Sequence, residues 1–398
     1  MLKVLHVITT LNRGGIERWL LSMLGEIPRT QCAMDVCCKG HSVGPYAPMA
    51  RELGANVYLE PLRVTQWGFI NGLRRLVNSG AYDIVHNHLQ VYSWLPAFAC
   101  RHLDVPVITS FHCTEFPSDT TLRLPVLSHL RNAYGKMSVK YALRHSAMIT
   151  GCSQGVLDSI REAYGGADGQ RREVLYYGTE LPCLPSPEER QAFRESFGWQ
   201  KDTPLIVHIG RFAEQKNHFG VLRIFKLVLQ RHPGAKLLLI GGGPLRPAVE
   251  ALARKLGLSD SIRFLGYRDD VPHILTRSDL FLFPSWLEGL GVAALEASAA
   301  AIPVVASNIP AIAEAIEHGS TGLLIDPNNN SAMADAVICL LEDKALATRL
   351  GCAGRNRVSE LFSNQVSAGS LLRIYNESLS QHKCAVLNNS RRPVLGAF

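Results

Sequence analysis

LFLFPSWLEGLGVAALEASAAAIPVVAS, residues 280–307, reads as strand, loop, helix, strand. Leu280–Phe283 shows no polar alternation, and Pro284 with Ser285 stops it. Gly289 and Gly291 lead into a helix of small residues, and Pro303 opens a second apolar run. Strands that are apolar on both faces and joined by a helix belong to a parallel sheet covered on both sides. In such sheets ligands bind beyond the carboxyl ends of the strands. Two carboxylates therefore fall near a ligand position, Glu288 in the loop and Glu296 in the helix. Alanines and Leu295 surround Glu296, so it belongs to no charged face and needs a partner.

The same alternation runs along the whole chain. Apolar runs at 2–10, 33–40, 55–60, 82–88, 106–112, 147–152 and 173–178 form one series, with helical stretches such as Ile16–Leu24 and Ile70–Val77 between them. A second series lies at 204–210, 235–243, 261–267, 279–285, 303–307 and 322–326. Pro182, Pro185 and Pro187 mark a linker between the two, followed by a helix start. The expectation is an α/β protein of two Rossmann-like domains, residues 1–182 and 188–361.

Composition narrows the function. Hydrophobic residues make up 47% of the 398 and charged residues 19%, which suits a globular α/β protein and not a disordered one. The most apolar region, Leu280–Ser307, is broken by Pro284, Glu288, Glu296 and Pro303, so no membrane-spanning helix is expected. Ten cysteines are scattered without a CxxC, and no signal peptide is visible, which points to reduced thiols and a cytoplasmic location. Net charge is +7: residues 1–180 carry +4, residues 181–380 are neutral, and the rest carries +3 through Lys383, Arg391 and Arg392. That is too weak for a nucleic-acid partner but compatible with an anionic surface or substrate.

Three strand ends are candidates for holding phosphate. Gly14 and Gly15 precede a helix, where open amides attract anions, although a plain tight turn would use the same residues. Gly210, Arg211 and Lys216 lie in a loop after a strand, and the two cations could clamp a diphosphate or simply be solvated. Gly241-Gly242-Gly243 lacks the Lys-Ser/Thr of a P-loop, which disfavours an ATPase. If Glu288 and Glu296 were both helical they would stand about 12 Å apart, too far for a glycosidase pair. Two carboxylates flanking a phosphate-binding helix start suit hydroxyls on both sides of a diphosphate, the shape of a nucleotide sugar.

The segments HIGRFAEQKN, LLLIGGGPLR, IRFLGYRDDVPHIL, the opening stretch and GSTGLLIDP, with NRGGIER, DIVHNHL and FH in the first half, resemble the retaining glycosyltransferases of family 4, group 1 type. The resemblance implies a GT-B fold, two Rossmann-like domains facing across a cleft, with residues 362–380 as a closing helix returning to the first domain and 381–398 as a basic tail. It implies that Glu296 binds the donor ribose and Glu288 the hydroxyls of the transferred sugar. Gly289, Leu290 and Gly291 would hold sugar or phosphate with their amides, and Arg211 and Lys216 would neutralise the leaving diphosphate. Gly14, Gly15 and Gly210 would also line the donor site, Tyr267 would lie near the base, and His112 would face the donor sugar. His88 would lie on the acceptor side. His86, His88 and His112 form a zinc-like trio by composition, but no carboxylate or thiolate with ligand spacing joins them, so no metal is expected. The chain departs from the family pattern at Asn217, Gly242, Ala301 and Tyr177–Glu180.

The expected activity is transfer of a hexose from a UDP- or GDP-sugar, with no other cofactor, to a saccharide hydroxyl, as in envelope or exopolysaccharide synthesis. A lipid-linked acceptor is expected from Arg131, Lys136, Lys140 and Arg144, three of which share a helical face and could rest on anionic lipid, peripherally to a membrane. A nucleotide-sugar epimerase of the same fold and a non-catalytic sugar-binding homologue remain open alternatives.

Overall fold

The computed structural model describes residues 1–62, 66–113, 125–165 and 170–390. Residues 391–398, with Arg391 and Arg392, lie outside the described part. The chain forms two α/β units, one from Met1–Gly178 plus the C-terminal stretch from Asn364, the other from Thr179–Ser363.

In the first unit, strands β1 (Leu2–Ile8), β2 (Cys32–Cys38), β3 (Val57–Leu59), β4 (Ile84–Asn87), β5 (Val107–Phe111), β6 (Met148–Gly151) and β7 (Arg172–Val174) form a sheet. Its order is β3-β2-β1-β4-β5-β6-β7, with every pairing parallel. The second unit holds β8 (Leu205–Ile209), β9 (Lys236–Ile240), β10 (Ile262–Gly266), β11 (Leu280–Phe283), β12 (Val304–Ser307) and β13 (Leu323–Ile325), in the order β10-β9-β8-β11-β12-β13, again parallel. These are two Rossmann-like units of the GT-B class. Each sheet reverses its winding beside its first strand, between β1 and β4 and between β8 and β11. Those switch points, at the carboxyl ends, are where this architecture binds ligands.

The strands read as unalternated apolar runs because helices cover both faces. β2, β4, β5, β6, β11 and β12 are buried at every position. Between the second unit's sheet and the helix His218–Arg231, a core gathers Phe212, Ile224, Phe225, Leu237, Leu280 and Val337. The helix Pro187–Glu195 starts where the third proline stands, with Ser186 and Glu189 forming a reciprocal capping box. Arg194 from that helix is buried and donates to Asp279 at 2.7 Å, and Asp279 also accepts from the Leu205 amide, which fixes the starts of β8 and β11.

The C-terminal helix corrects one expectation. It runs Asn364–Ser390, so residues 381–390 are helix and not tail. No glycine or proline follows Gly369 until Pro393, so nothing in the sequence stops it at 380. The helix packs on the first unit: Trp19 Nε1 donates to Ser367 Oγ at 2.9 Å, and Arg373 pairs with Glu173 in β7.

Two of the chain's departures from the family pattern occupy the left-handed region. Asn217 has φ 50° and Ala301 has φ 58°. Asn217 supports its conformation with its side chain, which accepts from Gly220 N and donates to Pro284 O, both at 3.0 Å. Ala301 has no such group. The carbonyl of Ala301 sits where a Cβ on Gly351 would fall, so the helix Lys344–Leu361 crosses it at backbone distance.

Candidate active site

The second unit assembles its site from loops after β8, β9 and β11. The loop after β8 passes Gly210 and Arg211, makes one turn over Glu214–Lys216, and enters the helix His218–Arg231 through Asn217. Gly210 N donates to Ile240 O and Phe212 N to Gly242 O, both at 3.0 Å, which lays this loop on the glycine triplet. Gly241 has φ 129°, and a Cβ there would strike the carbonyl of Gly210. Tyr267, half exposed, lies with its ring over Gly242.

The loop after β11 is tied to the same place. Trp286 N donates to Gln215 O at 2.8 Å, and Asn217 Nδ2 reaches Pro284 O. Lys216 Nζ and Glu288 Oε1 then meet at 2.5 Å, with side chains 20% and 9% exposed. Two residues 72 positions apart are thus one ion pair at the switch point. Arg211 is exposed beside them and has no charged or hydrogen-bonded partner for its side chain among the described residues. Gly291 caps the helix Val292–Ala299 at φ 79°, with no side-chain cap, so the first amides of that helix are open to an anion. Glu288 lies in the loop ahead of this helix, so the spacing expected for two helical glutamates does not apply. Glu296 is on the helix and half buried. Leu290 is buried and holds the loop down, while Gly289 is half buried.

Beneath this loop lie His208 and His218, which sequence reasoning did not single out. Burial holds them neutral, His208 at about 4 and His218 at about 2. His218 stacks on Phe212 at 3.9 Å.

In the first unit, Gly14 and Gly15 start the helix Gly15–Glu26 without a side-chain cap. The Glu17 carboxylate folds over Gly14, where an anion was expected. Burial raises its pKa to about 7. A phosphate arriving here meets a carboxyl group that is half protonated at neutral pH.

The strand alternation of period two brings His6, His86, His88, Ser110, His112 and Thr150 to one sheet face. Register sets His6 beside His86 and Ser110 beside Thr150. His112 is 7% exposed, and both ring nitrogens are engaged, Nε2 with His88 Nδ1 at 3.0 Å and Nδ1 with the Tyr177 hydroxyl. It offers a donor sugar no open nitrogen. His88 is buried and bonded to His6 and His112, so it presents no nitrogen to an acceptor either. His6, His86 and His88 have ligand atoms within 4.8 Å of one another. Yet all six of their nitrogens are hydrogen-bonded, to His88, His112, Tyr375, Ser110 and each other, and a metal would have to break those bonds. His6 and Tyr375 went unnoticed in the sequence. The only signal was a histidine inside the apolar strand LKVLHVI.

Residues 13–181 match the family Glycosyltransferase Family 4, and residues 189–357 match Glycosyl transferases group 1. The chain belongs to the group 1, family 4 glycosyltransferases. It is 29% identical to the alpha-maltose-1-phosphate synthase of Mycolicibacterium smegmatis, over 91% of this chain and 95% of that one. It is 26% identical to the N-acetyl-alpha-D-glucosaminyl L-malate synthase of Bacillus anthracis, over 76% of each. The crystal structure of Anabaena HepE in complex with UDP and glucose superimposes with a TM-score of 0.79 at 20% identity, over 95% of this chain and all of that one. In this glycosyltransferase the two family matches fall on the two series of strands, the first match beginning after β1. No described helix is long and apolar enough to cross a membrane.

The basic helical row lies on Pro125–His145. Arg131, Lys136, Lys140 and Arg144 are all exposed, and Met137 beside them is 72% exposed. Val139 and Leu143 do not flank the row, because both are buried in the core.

Proposed function

We propose that this glycosyltransferase moves a hexose from a UDP- or GDP-sugar to a saccharide hydroxyl with retention of the anomeric configuration. The observation that carries the reading is the Lys216–Glu288 pair at the switch point, with Arg211 exposed beside it and an uncapped helix start behind it. A diphosphate bound there would draw Lys216 away from Glu288. Arg211 and Lys216 would then stabilise the charge that grows as the nucleotide leaves. Glu288, released, would accept hydrogen bonds from sugar hydroxyls, and Glu296 from the ribose. Those cations make a metal unnecessary. The UDP and glucose held by HepE support a nucleotide-sugar donor.

The test is release of nucleotide diphosphate from a panel of UDP-, GDP- and ADP-sugars, with chelator present. One donor should be hydrolysed slowly, and both Lys216→Ala and Glu296→Ala should abolish release. An α-configured product from an α-configured donor, read by NMR once an acceptor is found, establishes retention. Turnover that vanishes with chelator would overturn the metal-free reading, and no binding of any donor would overturn the activity.

The exposed row Lys136, Lys140 and Arg144 with Met137 supports a lipid-linked acceptor at an anionic membrane surface. The protein should bind phosphatidylglycerol vesicles at low salt and release them at high salt. A Lys136→Glu, Lys140→Glu variant should bind at least tenfold more weakly. Equal binding by that variant would remove the membrane proposal.

A further inference from the structure

The second unit holds a cavity of about 510 Å³, with Glu214, Gln215, His218, Phe219, Leu245 and Trp286 in its lining. Sites for small molecules span about 300–1,000 Å³. The cavity lies between the two loops that carry Lys216 and Glu288, where Trp286 N donates to Gln215 O at 2.8 Å. That bond is made by backbone, so it leaves both side chains to the cavity.

The lining is open on one side and unsatisfied on the other. Trp286 is 44% exposed, and its ring has no stacking or hydrogen-bonding partner among the described residues. Glu214 is exposed and Gln215 half-buried, and neither side chain has a hydrogen-bond or ion-pair partner among the described residues. His218 is 1% exposed, yet neither ring nitrogen is hydrogen-bonded within the described residues. Its ring stacks on Phe212 at 3.9 Å, which fixes its plane. Buried polar atoms are nearly always bonded, so unbonded nitrogens in a cavity wall mark a place where a ligand or a water supplies the partner.

The lining also defines the ligand. Burial keeps the imidazole neutral against the pull of the Gly210 carbonyl. A neutral ring has one N–H to give and one bare nitrogen to accept, and a hydroxyl group can satisfy either. The lining has one carboxylate, Glu214, and no cation, which disfavours a phosphate or a nucleotide. An indole face carries the negative part of the ring's quadrupole and attracts polarised C–H bonds. Glu214 accepts from hydroxyls, and Gln215 both donates and accepts. A ring with a C–H face and a rim of hydroxyls is a sugar.

We propose that this cavity binds a neutral sugar ring, stacked on Trp286, with its hydroxyls held by Glu214, Gln215 and His218. It is a saccharide subsite of the second unit, separate from the nucleotide-sugar position, and it does not rest on the donor reading above. A ring held there spans the two loops that carry Lys216 and Glu288.

The experiment is an NMR titration of the full chain without nucleotide. The probes are the methyl glycosides of glucose, galactose, mannose and N-acetylglucosamine, with maltose, cellobiose and lactose, each to about 50 mM, which reports millimolar dissociation constants. At least one sugar should shift one indole signal of the five tryptophans, the signal that Trp286→Ala removes. Followed on backbone amides, Trp286→Ala should weaken that sugar by about tenfold. His218→Phe keeps an aromatic ring against Phe212 and removes both nitrogens. It should weaken the sugar by about tenfold and raise the unfolding temperature of the free protein, because two unbonded buried atoms are gone. Greater stability with native-like binding would overturn the imidazole contact. If His218→Phe does not fold, Gln215→Ala leaves the backbone bond in place and should weaken the sugar instead. No shift with any sugar would overturn the subsite, and so would binding that survives Trp286→Ala. UDP and GDP should leave the sugar bound, whereas displacement would put it at the nucleotide-sugar position and overturn a separate subsite. If the protein binds neither nucleotide, the donor reading fails, while the titration still decides the cavity.

Discussion

Between pH 8 and pH 5 the first unit should lose about 5 kcal/mol of stability. Its four buried histidines stay neutral when folded, because burial holds them far below 6.5. The unfolded chain takes up protons as pH falls through 6.5, so stability present above 6.5 is lost progressively below it, down to the folded values, about 3 for His6 and His112. By pH 5 each histidine contributes a loss of about 2 kcal/mol, or about 8 for four. Glu17 opposes this. Its folded pKa is raised from 4.5 to about 7, so its burial destabilises the fold above that range and relents as pH falls, returning about 2.5 kcal/mol by pH 5. The histidines win. His208 and His218 alone should cost the second unit about 4 kcal/mol over the same range. Since a domain is stable by about 5–15 kcal/mol, the first unit approaches its limit near pH 5. Denaturant unfolding at several pH values checks this. Glu17→Gln is the control: it should raise stability by about 3 kcal/mol at pH 8 and by less than about 1 kcal/mol at pH 5. A denaturation midpoint that stays flat from pH 8 to 5 would remove the histidines as buried neutral groups.

The strands were legible because a doubly covered parallel sheet writes each strand as an apolar run with a polar or glycine stop. All thirteen described strands fall inside the expected runs but for single residues at Cys32 and Arg172. The expected runs overshoot at the carboxyl ends, where Thr9, His88, His112 and Gly210 continue the chain beyond the last residue of their strands. The candidate site was legible as residues and not as geometry. Lys216 and Glu288 were each singled out, but their pairing depends on Trp286 and Asn217 lacing two loops together through backbone groups. The histidines show the same limit. H-x-H in β4 and its extension places two rings on one face, as Ser110 and His112 do from β5. Joining them to His6 needs the β1–β4 register, and joining His86 to Tyr375 needs a helix that returns 289 residues later. Neither register nor return is written in local pattern. The helix end at Ser390 differs from expectation for the opposite reason: the family resemblance sets the end at 380, where the sequence carries no stop signal.

Lys216→Ala should reduce turnover by about a thousandfold, and the loss should separate cleanly from stability. Removing a preorganised group that meets developing charge costs about 100–1,000-fold, and Lys216 is the better buried of the two cations. Arg211→Ala should cost less, about a hundredfold, because its exposed guanidinium is more screened by solvent. The two differ in their effect on the fold. Arg211 holds nothing in place, so its removal should leave the denaturation midpoint unchanged. Lys216→Ala orphans the Glu288 carboxylate, whose side chain is only 9% exposed, and should destabilise by about 2 kcal/mol. Adding Glu288→Gln to Lys216→Ala removes the stranded charge. The double variant should recover most of the lost stability and none of the lost turnover, since the amide neither neutralises a diphosphate nor accepts sugar hydroxyls as a carboxylate does. Turnover and thermal unfolding measured side by side on the four proteins decide the matter. If activity returns together with stability in the double variant, Lys216 serves only to pin the loop after β11, and the diphosphate must be held elsewhere.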